Sequence, residues 1–149
     1  ANWRRTPTQI GKFEQIYIKG VGRIVANFDT GNSAKCSLHA EKFEVKGKKV
    51  HWEENGQKFK HDLVKMVKFE RGGVNAQDFE RPMIHFSVSF NGNDYEEAEF
   101  ILDDRTKKTT KCLMNQRFMK RANVMVNPAR NFIVTDNIET KELHDFDKK

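Results

Sequence analysis

Ile24-Val25-Ala26-Asn27-Phe28-Asp29-Thr30-Gly31 is the stretch whose reading decides the fold. Its first five residues are β-prone and mostly apolar, the pattern of a strand. That strand delivers one carboxylate, Asp29, onto a tight turn with a hydroxyl and a glycine beside it. A strand sets the position of such an acid more rigidly than a loop does. Gly31 is expected to let the chain bend where a Cβ would clash, leaving the Asp29 carboxylate facing outward. The Thr30 hydroxyl both donates and accepts, which suits it to tie the turn to a neighbouring chain. Asp, Thr and Gly are also ordinary turn formers, so a plain surface turn fits the same residues.

Upstream, Gln15 to Ile18 reads as a strand and Lys19-Gly20-Val21-Gly22 as a turn into the strand carrying Asp29. Residues 1–14 read as an irregular arm, with Trp3 the candidate anchor and Arg4-Arg5 in water. Downstream, Asn32 to Lys35 is loop and Cys36 to Ala40 returns to structure. Strands are expected over Phe43–Val45, Val50–Trp52, Leu63–Phe69, Met83–Phe90, Tyr95–Leu102, Val124–Val126 and Asn131–Val134. Asn55-Gly56 favours a type I′ hairpin turn, and Asn91 to Asp94 turns the best-alternating pair of strands. Glu70 to Phe79 is a polar loop with Gly72-Gly73 in it, and Asn115 to Lys120 is the one place for a short helix. The charged tail, 136–149, is expected to fray. The whole reads as one mostly-β domain, 15–135, of many short strands.

The chain has 149 residues, 37% hydrophobic and 32% charged, with twelve Phe to fill a core. That length suits one domain and the composition is not of the disordered type. The absence of a membrane-length apolar run or signal-peptide pattern, and only two cysteines, Cys36 and Cys112, lead us to expect a cytoplasmic, reducing location. The net charge of +6 permits nucleic acid or acidic proteins as partners through a steering field. Lys107, Lys108, Lys111, Arg117, Lys120 and Arg121 follow one another with no acid between. A solvated face is favoured over a nucleic-acid site there, and a basic cleft rim for an acidic substrate is a third option.

Other chemistries find little support. Gly20-x-Gly22 lacks the third glycine of a dinucleotide loop, and no phosphate-cradling loop ends in Gly-Lys-Ser/Thr. His39, His51, His61, His85 and His144 make no His-Glu-x-x-His pair, and there is no Cys-x-x-Cys. His39, His51 and Cys36 could meet in space, but spacing does not force it. No metal site and no cofactor are therefore assigned. Asp103 and Asp104 stand beside Arg105 without a Thr-Gly turn, so an ion pair at a strand end explains them better than a second catalytic acid.

Six ordered segments now carry a resemblance. They are Phe28-Asp29-Thr30-Gly31, Ser37-Leu38-His39-Ala40, Glu80-Arg81-Pro82-Met83-Ile84, Asp104-Arg105-Thr106, Leu113-Met114-x-x-Arg117-Phe118-Met119 and Val126-Asn127-Pro128. From about Ile16 to Val134 the chain resembles the bacterial retropepsin-like aspartic protease family, whose members have carried the label ATP-dependent zinc proteases. The resemblance implies an all-β, closed retropepsin-like barrel with one short helix, pairing as a homodimer that cleaves peptide bonds. It implies Asp29 as acid and base, Thr30 as the lock between the two turns, and Gly31 as the shaper of the turn that reaches substrate backbone. Asn32 would adjoin the substrate, and Asn55-Gly56 would be the tip of a flap. Two positions depart from the family: Asn32 stands where Ala, Ser or Thr is usual, and Asn115 where glycine is usual. Asn tolerates φ > 0, so the fold is expected to survive Asn115. These departures leave an inactive binding module on the same fold as the alternative.

Overall fold

Alternation with a period of two explains most of the strands. In Phe13–Ile18 the buried residues are Glu14, Ile16 and Ile18, and in Lys49–Glu54 they are Val50, Trp52 and Glu54. Such residues line one face of a pleated strand and bury it together. The computed structural model describes residues 6–32, 35–70 and 78–135. In chain order these form β1 (Thr8–Gly11), β2 (Phe13–Ile18), β3 (Gly22–Phe28), β4 (Cys36–His39), β5 (Lys42–Lys46), β6 (Lys49–Glu54) and β7 (Gln57–Asp62). There follow β8 (Lys65–Phe69), β9 (Phe79–Phe90), β10 (Asn93–Asp103), β11 (Cys112–Met114), α1 (Gln116–Ala122) and β12 (Val124–Asn127).

Six strands close a barrel in the order β10-β4-β11-β3-β2-β9, because β9 also pairs with β10; β8 adds to the other edge of β9. Closure pairs the edges that an open sheet would leave exposed. The all-β barrel with one short helix is thus the observed architecture among the described residues. One insertion positions the site. β11 runs between β3 and β4, parallel to β3, with Met114 beside Phe28 and Leu113 beside Asn27. Inside the barrel Phe28 meets Phe90 and Phe118 at ring distances of 5.1 and 6.4 Å, and Phe86 meets Phe100 edge-on. The separate β5-β6-β7 sheet joins this core through Trp52, which stacks on Phe59 and turns its edge to Phe86. No helix among the described residues is long and apolar enough to cross a membrane.

Both expected hairpins form, with Asn55-Gly56 at φ of 49° and 76° and Asn91-Gly92 at 50° and 80°. Three expectations change. Residues 8–11 and 13–14, read as irregular arm, are strand, because β1 finds a parallel partner in β12 far along the chain and β2 extends its antiparallel pairing with β3 back to Phe13. Residues 131–134, read as strand, form none: the Phe132 N–H goes to Phe13 O, and those of Ile133 and Val134 go to the Glu14 carboxylate. The strand expected from Met83 runs back through Pro82 to Phe79, where β8 pairs with it beyond the end of the β9–β10 ladder. Trp3, Arg4-Arg5, Gly72-Gly73 and the 136–149 tail lie outside the described residues.

Candidate functional site

The Asp29 turn is held from beneath by backbone hydrogen bonds from three segments. Phe28 N–H donates to Lys12 O at 2.8 Å, and Asp29 N–H to Met114 O at 3.1 Å. Asn32 N–H closes the turn onto Asp29 O at 3.1 Å, while Gln116 N–H donates to Asn32 O at 3.0 Å. The Gln116 side-chain amide also donates to Thr30 O. With Phe28 buried and fixed by aromatic neighbours, the carboxylate that follows has little freedom to wander. Asp29 is half-buried, Thr30 and Gly31 are exposed, and Gly31 N–H donates to Asp29 Oδ1 at 2.9 Å.

The expected role of Gly31 needs correcting. Its backbone is not among those with positive φ, and a Cβ there would lie 3.4 Å from Asp29 Oδ1, an ordinary contact. What Gly31 supplies within one chain is the N–H that orients the carboxylate and a bare surface above it. Thr30 opens onto a depression of about 490 Å³, bordered also by Gln116, Met119, Lys120 and Asn123.

Asn115 is likewise explained differently. Its φ is −96° and its ψ 175°, so the tolerance of Asn for positive φ is not used. Instead it is the N-cap of α1: Oδ1 accepts Phe118 N–H at 3.0 Å, and Cys36 Sγ lies 3.4 Å from the same oxygen. A side-chain acceptor at this position satisfies a helix donor that glycine would leave open. Burial pushes the Cys36 thiol up to about 12, so at neutral pH it is a packed thiol and not a nucleophile.

Asp29, Thr30, Gly31 and Asn32 share one turn, whereas Asn55 and Gly56 sit on the separate sheet, at the β6–β7 tip. There Asn55 N–H donates to Glu41 Oε1 at 2.8 Å. Just behind the tip lies a polar cluster that residue order alone did not reveal. Glu54 is buried, with Lys111 Nζ 3.0 Å and His39 Nε2 3.6 Å from its Oε2. His39 Nδ1 accepts the Arg105 N–H at 2.8 Å, so its proton belongs on Nε2, facing Glu54. Burial, then the hydrogen bond with Glu41, raises the Glu54 pKa; the Asn55 N–H, then Glu54, lowers that of Glu41. His39 is lowered, first by burial and then by Lys111. The nearest sequence signal was that Ser37-Leu38-His39 and Asp104-Arg105 occur in the same set of matched segments.

The candidate metal trio does not assemble, since Cys36 turns to Asn115 and His39 to Arg105 and Glu54. Among the described residues no three of His, Cys, Asp or Glu are grouped so as to hold a metal ion. The ion pair at the end of β10 joins Asp103 to Arg81, at 2.7 Å, and not to its neighbour Arg105, which is buried and donates to Thr110 O.

Comparison with known proteins places this geometry. Fourteen chains of solved structures match. One is the crystal structure of Lpg0085, a protein of unknown function (DUF785) from Legionella pneumophila subsp. pneumophila str. Philadelphia 1, at 19% identity and a TM-score of 0.69. The match covers 86% of this chain and 98% of that one, and it shows a shared fold. No curated protein matches. The family model described as retropepsin-like aspartic endopeptidase RimB matches residues 9–137, from β1 past the bends that follow β12, and the chain therefore belongs to the RimB-like family of retropepsin-like aspartic endopeptidases.

Proposed function

We propose that the protein is an aspartic endopeptidase acting as a homodimer, with one Asp29 from each protomer. The observation that carries this reading is the Asp29 turn in a chain of this family: a half-exposed carboxylate, fixed from below and oriented by Gly31 N–H. One such turn per chain supplies half of an acid pair, so a second copy has to bring the other half. Two carboxyls about 3 Å apart share one proton, since like charges that close cannot both ionise. The ionised member takes a proton from water as that water attacks the peptide carbonyl. The protonated member donates to the carbonyl oxygen, and the proton then passes to the leaving amine. Exposed Thr30 would lock the two turns together, Asn32 would border the substrate, and the Asn55-Gly56 hairpin would close over it.

The alternative, an inactive binding module, drew on Asn32, Asn115 and the basic stretch. The fit of Asn115 as a helix cap weakens one of these motives. The engagement of Lys111 with Glu54 and of Arg117 with Glu99 weakens another, because those charges are partly neutralised. Asp29→Asn is expected to leave fold and dimer intact, by circular dichroism and light scattering, and to cut peptide hydrolysis by at least about a thousandfold. Cleavage by that variant at the parent rate, or a monomer that cleaves, would remove the reading.

A further inference from the structure

The β5-β6-β7 sheet pairs with no strand of the barrel among the described residues, so side chains set the angle at which it sits. Its centre rests on the barrel through rings: Trp52 turns its edge to Phe86, and His61 meets the same ring edge-on at 4.9 Å. Apolar burial is non-directional, so it holds the sheet down without fixing its tilt. Two cations of the barrel reach across nearer the Asn55-Gly56 end. Lys111 stands just before β11, and its carbonyl accepts the His39 N–H at 2.7 Å, which ties its backbone to β4. Its ammonium lies 3.0 Å from Glu54 Oε2, on the last residue of β6 before the turn. His39 Nε2 is 3.6 Å from the same oxygen. The Lys111 and Glu54 side chains are 14% and 1% exposed, so this ion pair is largely out of water.

Arg81, on β9, makes the second grip. Its Nε donates to Asp103 Oδ1 at 2.7 Å and its Nη1 to Glu80 O at 2.9 Å, which anchors the guanidinium on the barrel. The guanidinium carbon then lies 4.4 Å from the ring centre of Phe79, also on β9, and 5.7 Å from that of Phe43 on β5. Phe43 pairs with Trp52, and Glu54 is two residues beyond Trp52, so both grips fall on the half of the sheet that carries the turn. Tilting the sheet away draws Glu54 from Lys111 and Phe43 from Arg81 at once. Separation leaves a buried carboxylate without its partner and a cation without its ring face. We propose that Lys111 and Arg81 are positioning residues, two cations on the barrel that pin the tip end of the β5-β6-β7 sheet and so fix where the Asn55-Gly56 hairpin stands. The consequence for substrate rests on the protease reading above, in which this hairpin closes over the peptide; the hold on the sheet does not.

Trp52 is 2% exposed and packs against Phe86, so its access to solvent reports how firmly the sheet lies down. In the whole chain carrying Trp3→Phe, Trp52 is the one tryptophan left, and acrylamide quenching of its fluorescence tests the two pins without substrate. Lys111→Met is expected to raise the quenching constant at least about threefold, since removing one partner of a buried pair favours local opening. Arg81→Leu is expected to raise it about twofold, the loss of a cation–π contact, and serves if Lys111→Met does not fold. Lys111→Arg, whose guanidinium still reaches the Glu54 carboxylate, is expected to keep the parent value. In peptide cleavage, Lys111→Met is expected to raise KM about tenfold with a smaller change in kcat, and Lys111→Arg to restore it. A loss of stability alone lowers the amount of active enzyme and leaves KM where it was. Parent-level quenching in both Lys111→Met and Arg81→Leu would overturn the proposal, and so would raised quenching in an enzyme whose KM does not move. Raised quenching in a chain whose parent cleaves no peptide would overturn the protease reading and keep the pins.

Discussion

Glu14 and Glu54 are both carboxyl groups taken almost wholly out of water, at 0% and 2% exposed, and the fold answers them in opposite ways. Around Glu14 every donor named is backbone or hydroxyl: Gly11 N–H at 2.6 Å, Ile133 N–H at 2.8 Å, Thr135 N–H at 3.1 Å and Thr135 Oγ1 at 2.6 Å. Together with Lys12 N–H to Arg130 O and Phe132 N–H to Phe13 O, these bonds strap residues 130–135 onto β1 and β2. The strap reaches the Asp29 turn, since Lys12 O accepts the Phe28 N–H. Around Glu54 stand His39, Lys111 and Glu41, all with ionisable side chains. Donors that cannot titrate make a permanent clamp under the candidate catalytic turn. Beside the hairpin tip the buried carboxyl instead meets ionisable side chains, Lys111 at 3.0 Å and His39 at 3.6 Å.

The sharpest way to break this contrast is Glu14→Leu, which leaves at least three backbone N–H groups and a hydroxyl without their acceptor. A loss of about 3 kcal/mol or more is expected in urea unfolding, because each stranded buried donor costs on the order of 1–3 kcal/mol. Next is Gly11→Ala. A Cβ there would come within 2.8 Å of Asn131 Cα and Phe132 N, backbone atoms of the strap that cannot swing aside. About 1–3 kcal/mol of destabilisation is expected, the cost of overpacking a close approach. Glu54→Gln should cost less, within about 1 kcal/mol at neutral pH, since the amide keeps a polar atom for Lys111 and His39 and strands no buried donor. If it proved as costly as Glu14→Leu, the two sites would not differ in kind.

The smallest effect is a slope. The folded His39 pKa lies below 6.5, so between the two values the unfolded chain holds more protons, and this contribution to stability is lost as pH falls below about 6.5. The folded Glu54 pKa lies above 4.5, so above about pH 4.5 the folded chain holds the extra proton and this contribution falls as pH rises toward the folded value. Glu54→Gln should remove the second slope and leave the first. A variant whose urea midpoint tracks pH as the parent's does would show that Glu54 does not govern it.

Much of the fold could be read from residue order, for a physical reason that varies by element. β3 and its turn are visible because apolar strand residues and a turn-former stand next to one another. The Asn55-Gly56 and Asn91-Gly92 hairpins are visible because a I′ turn needs φ > 0 at both central residues. α1 is expected over Asn115 to Lys120, while the role of Asn115 as its N-cap came only with the structure. By contrast, β1 is a strand because β12 lies alongside it, and residues 131–134 are not strand because Phe13 O and the Glu14 carboxylate take the N–H groups of Phe132, Ile133 and Val134. Neither cause lies near the affected residues in the chain.

Residue order unaided determined a chain of short alternating strands, two tight hairpins and one acid at the end of an apolar strand. Periodicity and turn chemistry act over a few residues, so a sequence displays them directly. The tertiary structure alone decided that β11 would slide between β3 and β4, and so place Met114 O and Gln116 under the Asp29 turn. It also decided that Glu14 would meet backbone and hydroxyl donors while Glu54 met ionisable side chains. Burial and long-range pairing set those outcomes, and both depend on how the barrel closes, which no local pattern encodes.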